Sequence, residues 1–208
     1  MLRLYARPYD PTAPVICLDE RPVVLHDEER AGTPIAPGRP ARTDYEYVRK
    51  GTANVFCIVE PKTGRRLTHS TKRRAGSDFA RALYRIAKAH PRAKRIHLVM
   101  DNLSTHSEKS CTDTFGMRRG RALWRRFKVH FTPKHASWLN AAEMEAGLVA
   151  RQCLGKRRIA DLQTLHREVR AWRARATQSG CTIRWRFRVA DARRVFKYDA
   201  LVFKRSEH

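Results

Sequence analysis

Apolar positions along this chain fall into short runs whose spacing changes from strand-like to helical and back. Val15-Ile16-Cys17-Leu18 is a continuous apolar run that closes on Asp19, and Ala53-Asn54-Val55-Phe56-Cys57-Ile58-Val59 is a longer one. Both read as buried strands, at 15–19 and 53–59. Pro61-Lys62-Thr63-Gly64 supplies a turn and Arg66 to Ser70 a third strand, which makes an antiparallel meander. The Pro- and Gly-rich, charged stretch 21–50 is too long for a tight hairpin and reads as a long functional loop. Helical spacing follows: Phe79, Ala82, Leu83, Ile86 and Ala87 share one face, with Ser77 as the expected N-cap and His90-Pro91 as the stop. A fourth strand at 95–100 delivers Asp101, and Arg118 to Arg126 forms a basic helix. Phe127, Val129 and Phe131 alternate with Lys128 and His130 in a half-buried fifth strand, and a helix from about Asn140 to Cys153 carries Glu143.

Strands 1–3, helix, strand, helix, strand, helix is the element order of an α/β domain of ribonuclease H-like architecture. The expected fold is a mixed five-stranded sheet of order 3-2-1-4-5, flanked by helices and spanning residues 10–155. Strands 1 and 4 then lie parallel at the centre, and their carboxyl ends hold Asp19 and Asp101 about one strand spacing apart, ~4.8 Å. Ligands bind at such carboxyl ends in open α/β sheets. Residues 156–208 change character and are expected to form a basic helical and extended C-terminal appendage. Leu162, Leu165, Val169 and Trp172 make one helical stripe there, and Ile183, Trp185, Phe187 and Val189 alternate with Arg184, Arg186 and Arg188.

Charge narrows the partners. Lys plus Arg number 44 against 20 Asp plus Glu, a formal charge of +24 over 208 residues. Such an excess favours a polyanion, here nucleic acid. Arg118, Arg119, Arg121, Arg125, Arg126, Arg184, Arg186 and Arg188 are the candidate contacts to the backbone of double-stranded DNA, a salt-sensitive mode that carries no sequence information. No membrane partner is expected: no stretch approaches the ~20 apolar residues of a span, and the first residues lack a signal peptide's apolar region. Five widely spaced cysteines without a C-x-x-C pair fit a reducing cytoplasm and exclude a zinc knuckle.

Within so basic a chain, acids at the edges of apolar runs suggest a metal site acting on phosphate. Each has a plainer reading. Asp19 can serve as a strand-end turn residue, Asp101-Asn102 as a helix cap, and Asn140-x-x-Glu143 as a capping box. Glu145 is a rival third ligand, but it lies ~200° round the helix from Glu143 and cannot share its face. Glu20 points to the opposite side of its strand from Asp19 and is expected to be exposed. His106 suits either a phosphate contact or a hydrogen-bonded loop position.

The ordered set goes further. Ile16-Cys17-Leu18-Asp19-Glu20, Met100-Asp101-Asn102-Leu103-Ser104-Thr105-His106 and Thr132-Pro133-Lys134-His135-Ala136-Ser137-Trp138-Leu139-Asn140-Ala141-Ala142-Glu143 resemble three motifs of DDE transposases. Tyr47-Val48-Arg49-Lys50-Gly51-Thr52 and Arg151-Gln152-Cys153-Leu154 resemble the bacterial insertion-sequence branch of the mariner superfamily, and the likeness covers roughly residues 15–200. It implies a two-metal DNA endonuclease and strand transferase, with Asp19 and Asp101 ligating two Mg²⁺ (or Mn²⁺) ions and Glu143 completing the site. It also implies transposon ends and target DNA as substrates, a homodimer, and a cytoplasmic, nucleoid-associated location. Two departures stand out. Forty-two positions separate Asp101 from Glu143, an insertion at 118–126, and only 18 residues precede Asp19 where the family carries helix-turn-helix modules. The expectation is therefore a catalytic half, from a split reading frame with the helix-turn-helix half as a separate polypeptide, from a truncated copy, or from a deliberately shortened chain. The alternatives are a non-catalytic basic nucleic-acid-binding protein, an inactive transposase remnant, and a ribonuclease H or junction resolvase on the same fold.

Overall fold

The computed structural model describes residues 1–30, 32–40, 45–133 and 136–197. One helical turn, α1 (Leu2–Tyr5), precedes the strands β1 (Val15–Glu28), β2 (Tyr47–Glu60), β3 (Arg65–Thr71), β4 (Ile96–Met100) and β5 (Phe127–Phe131). They form one five-stranded sheet in the order β3-β2-β1-β4-β5. The first three strands are antiparallel; β4 runs parallel to β1, and β5 to β4. This is the order expected from the hydrophobic pattern.

Alternation along each strand divides the core in two. Ile16, Leu18, Phe56, Ile58, Leu98 and Met100 face helices α2 (Gly76–Ala89), α3 (Glu108–Phe115) and α4 (Met117–Trp124), meeting Phe79, Leu83, Cys111 and Leu123. On the opposite face Val23, Leu25, Val55 and Cys57 meet α5 (Ala142–Leu148), a π-helical turn (Val149–Leu154) and α6 (Leu162–Gln178). A short helix α7 (Val189–Phe196) follows.

Several elements differ from the expectation. The stretch 21–50 is sheet at both ends: β1 continues to Glu28 and β2 begins at Tyr47, the two pairing from Glu28↔Tyr47 inward with an irregularity between Leu25 and His26. Only residues 29–46 connect them. The extension is hard to read because it is a two-stranded arm whose Val24, Tyr47 and Val48 stay exposed, so backbone pairing holds it more than burial does. Leu165, Val169 and Trp172 of α6 complete the second core, and Asp161 caps that helix by accepting from the Thr164 N–H at 2.8 Å.

Capping of α2 falls to Asp78, whose carboxylate accepts the Ala75 N–H at 3.3 Å, and not to Ser77. Helix α3 went unpredicted, since Cys111 and Phe115 give its only apolar signal. Gly120 of α4 lies so close to α3 that an added Cβ would stand 2.5 Å from the Thr112 Cα. The expected single helix 140–153 is two pieces, α5 and the π-helical turn, preceded by a 3₁₀ turn (Ser137–Leu139).

Candidate active site

The sheet register sets the site. β1 pairs with β4 through Val15↔His97, Ile16↔Leu98 and Cys17↔Val99. Two residues beyond Cys17 and Val99, Asp19 and Asp101 follow at the same end of the two central strands, Asp19 on the sheet face that Cys17 shares. That face is the one covered by α5, which carries Glu143. Asp19 and Glu143 line one open groove together with Glu20, Arg21, Met144 and Arg151. Burial raises the Asp19 carboxyl to about 6, with further upward pressure from the Asp101 and Glu143 charges, while the Glu20 N–H donating to its Oδ1 at 2.8 Å opposes the rise.

Asp101 is held differently. Its Oδ1 lies 2.8 Å from the His106 Nδ1, and the other ring nitrogen of His106 is 3.0 Å from the Glu20 Oε1. The imidazole also stacks on Phe79 with ring centroids 4.5 Å apart. Burial alone would lower the His106 pKa; the bonds to Asp101 and Glu20 outweigh it and raise it to about 9. The same bond to His106 pulls Asp101 below the usual carboxylate range. His106 is therefore a cationic bridge between β1 and the loop after β4. Glu20, expected to be exposed, is corrected by this contact: its side chain is only 7% accessible.

Asn140 positions the third acid. Its side-chain amide donates to the Leu18 carbonyl at 2.8 Å, and its side-chain oxygen accepts the Ala142 N–H at 3.1 Å. One buried residue thus ties the start of α5 to the strand bearing Asp19. This is helix-start capping directed at Ala142, so the simple Asn140–Glu143 box is not what forms. Two residues past Glu143, Glu145 points the other way. It is bound by Arg66 through Nε at 2.8 Å and Nη2 at 3.1 Å, the side chains 5% and 3% accessible. The pair occupies Glu145 fully and leaves Glu143, which is exposed, as the helix acid in the groove.

The arginine candidates separate. Arg118, Arg119, Arg121 and Arg125 are exposed, Arg121 lying 3.6 Å from Glu108. Arg126 is not a free contact. Its guanidinium donates to the Ala87 and His90 carbonyls at 2.9 and 2.6 Å, closing the end of α2. Its own carbonyl accepts from the Ile96 N–H, so it sits at the opposite end of β4 from Asp101. Arg184, Arg186 and Arg188 are exposed and alternate with half-buried Ile183, Trp185 and Phe187. Sequence reasoning missed Arg21 and Arg151, the two cations in the carboxylate groove. Arg151 belongs to the π-helical turn, a rare geometry found mostly at functional sites. Lys134 and His135 of the third motif lie outside the described residues.

The donor chemistry suits a divalent cation, since it consists of hard carboxylate oxygens, and that of Asp19 is held above the usual carboxylate range chiefly by burial and further by its acidic neighbours. Among the described residues, no three donor side chains converge on one point. No described helix is long and apolar enough to cross a membrane.

A 3-2-1-4-5 sheet with acids on the adjoining central strand ends, and a further acid on the helix that covers them, defines a ribonuclease H-like domain. A family model described as DDE superfamily endonuclease matches residues 14–166, and the chain belongs to that family. Among solved structures it resembles the Mos1 mariner paired end complex with Mn, at 16% identity and TM-score 0.56, over 86% of this chain and 54% of that one. A pre-cleavage Mos1 transpososome matches at 15% identity and TM-score 0.54, over 86% and 55%. The Mos1 Strand Transfer Complex matches at 14% and 0.52, over 81% and 51%. The chain thus spans about half the length of the solved structures it matches. No curated protein matches it.

Proposed function

We propose that this chain is the catalytic part of a DNA transposase, hydrolysing phosphodiesters and joining strands with two Mg²⁺ or Mn²⁺ ions. One observation supports this reading most: Asp19 and Asp101 end the adjoining strands β1 and β4, Glu143 lines one groove with Asp19, and the Asp19 carboxyl is pushed up by burial and further by Asp101 and Glu143. Divalent ions there would activate the attacking hydroxyl and stabilise the leaving oxygen. The chain's own residues do the rest. Asp19, Asp101 and Glu143 offer the oxygen donors, His106 orients Asp101, and Asn140 fixes the start of α5. Arg21 and Arg151 meet the phosphate from the groove walls.

The finer parts of the reading are proposals of the same kind. They are membership of the bacterial insertion-sequence branch, transposon ends and target as the duplex substrates, a nucleoid-associated cytoplasmic location, and end recognition by a separate helix-turn-helix polypeptide. The β1–β2 arm, with Tyr45, Tyr47 and Val48 exposed, would grip DNA or a second subunit of a homodimer. Domain limits of 10–155 and 156–208 stand as a proposal too, although α6 shares the second core.

Plasmid nicking in Mn²⁺ tests the site. Asp19→Asn and Asp101→Asn should each abolish nicking while leaving duplex binding intact; nicking that survives either change refutes the assignment. Mn²⁺ at about 100 times its Kd should also stabilise the fold by about 2.7 kcal/mol. The competing reading, a non-catalytic binder or inactive remnant, is favoured by the lack of converged donors among the described residues. It expects no Mn²⁺ stabilisation at all.

A further inference from the structure

A second groove adjoins the carboxylates. The extended segment carrying Trp185 and Phe187 packs its aromatic side against Trp138, which belongs to the same motif as Glu143. Trp138 and Trp185 rings are nearly parallel, 11° apart with centroids at 6.4 Å, and Phe187 meets Trp138 edge-on at 5.4 Å. Packing stops short of covering Trp138, which keeps 42% of its surface exposed, and Met144 beside it keeps 45%. Trp138, Met144, Arg184, Trp185, Arg186 and Phe187 line the resulting groove. Met144 also lines the groove that holds Asp19 and Glu143, so the two share a wall.

An aromatic face left open between exposed guanidinium groups has a specific chemical complement. Stacking needs a flat π-surface and the arginines need an anion, and an unpaired nucleotide carries both, whereas a duplex hides the faces of its bases. A second copy of this chain is a poor occupant, because it brings a formal charge of +24 to an arginine-lined surface. We propose that this groove seats an unpaired nucleotide of the DNA strand next to the phosphate being cut, its base stacked on Trp138 and its phosphate held by Arg184 and Arg186. The adjacency to a cut phosphate rests on the transposase reading above; the preference for unpaired bases does not.

The test uses the full chain in EDTA and compares anisotropy titrations of a fluorescein-labelled oligothymidylate and a duplex of equal length. Trp138→Ala should weaken single-strand binding roughly tenfold or more while changing duplex binding less than about twofold, and Trp138→Phe should keep most of the single-strand affinity. Arg186→Gln, an exposed change that spares the aromatic packing, should weaken single-strand binding and lower its salt slope by about one. If Trp138→Ala disturbs the fold, Arg186→Gln still decides. Equal losses on single strand and duplex, or no loss from either variant, overturn the proposal. The readout needs neither metal nor cutting. An Asp101→Asn chain that goes on nicking would therefore refute the transposase site while leaving the stacking result to stand by itself.

Discussion

The two faces of the sheet are built from different chemistry. Under α2, α3 and α4 the contacts are almost wholly apolar: Ile16, Leu18, Phe56, Phe79, Leu83, Leu98 and Met100 form one cluster. The other face carries Asp19 and the polar ties around it. Asn140 spans from α5 to the Leu18 carbonyl, Arg66 grips Glu145, and His97 meets His130. Apolar packing tolerates small shifts, whereas a hydrogen bond weakens steeply with angle and distance. Both faces therefore supply apolar stability, and the second adds the directional contacts that position α5 and the acid it carries. Where a protein must hold a glutamate opposite two aspartates, directional contacts outperform greasy ones.

Breaking the polar face should produce the largest effect. Arg66 holds Glu145 through two bonds and also donates to the Gly64, Ala176 and Cys181 carbonyls, so β3, α5 and the segment after α6 meet at one guanidinium. Glu145→Ala leaves that charge buried and unpaired, at a cost of about 3–5 kcal/mol. For a chain of this size the melting temperature should fall by roughly 10 °C. The sharper test is the double variant Arg66→Met/Glu145→Leu. Melting should recover most of the loss, because a buried pair is about as stabilising as packed apolar groups. Nicking should stay depressed, because α5 has lost its directional anchor. A double variant that melts and nicks like the parent would erase the distinction between the faces.

A change on the apolar face should separate the two properties in the opposite sense. Gly120→Ala places a methyl against the Thr112 Cα and the Cys111 backbone, and α3 and α4 must part to admit it. Overpacking of this kind costs about 1–3 kcal/mol. Thermal melting should register the loss, while nicking per folded molecule well below the melting point should match the parent. Reduced nicking at constant folded fraction would mean that the apolar face also tunes the site.

Legibility in the sequence followed the same division. Runs such as Ile16-Cys17-Leu18 and Ile96-His97-Leu98-Val99-Met100 announce buried central strands, and β4 spans Ile96–Met100 as the pattern predicts. The residues closing them, Asp19 and Asp101, are visible as polar breaks. What pattern cannot show is pairing across distance. Glu145 looks like a rival ligand until Arg66, 79 positions earlier, claims it. Glu20 looks exposed until His106, 86 positions later, reaches it. Arg126 looks like a DNA contact until the end of α2 needs a donor for its carbonyls. The outer β1–β2 arm is faint in the sequence because only Val23 and Leu25 of β1 mark its buried side, while Tyr47 and Val48 across from it stay exposed.

The smallest effect concerns pH, again on the polar face. His97 Nδ1 and His130 Nε2 lie 2.9 Å apart between β4 and β5, one ring donating to the other, and that bond requires at least one neutral imidazole. Burial, then the neighbouring His97 and the cations Lys128 and Arg7, push His130 down to about 4, and burial with Arg7 and Lys128 lowers His97 as well. An unfolded histidine titrates near 6.5. The folded pKa values being the lower ones, the neutral pair's stability is complete above about 6.5 and is lost as pH falls from there toward 4. His69, also lowered to about 4 by burial, adds a parallel loss from the apolar face, where its ring stacks on Phe56. His130→Gln removes only the first contribution, so the drop in melting temperature between pH 7 and pH 5 should shrink by about 2–4 °C without vanishing. An unchanged drop would remove the histidine pair from the polar face's set of directional contacts.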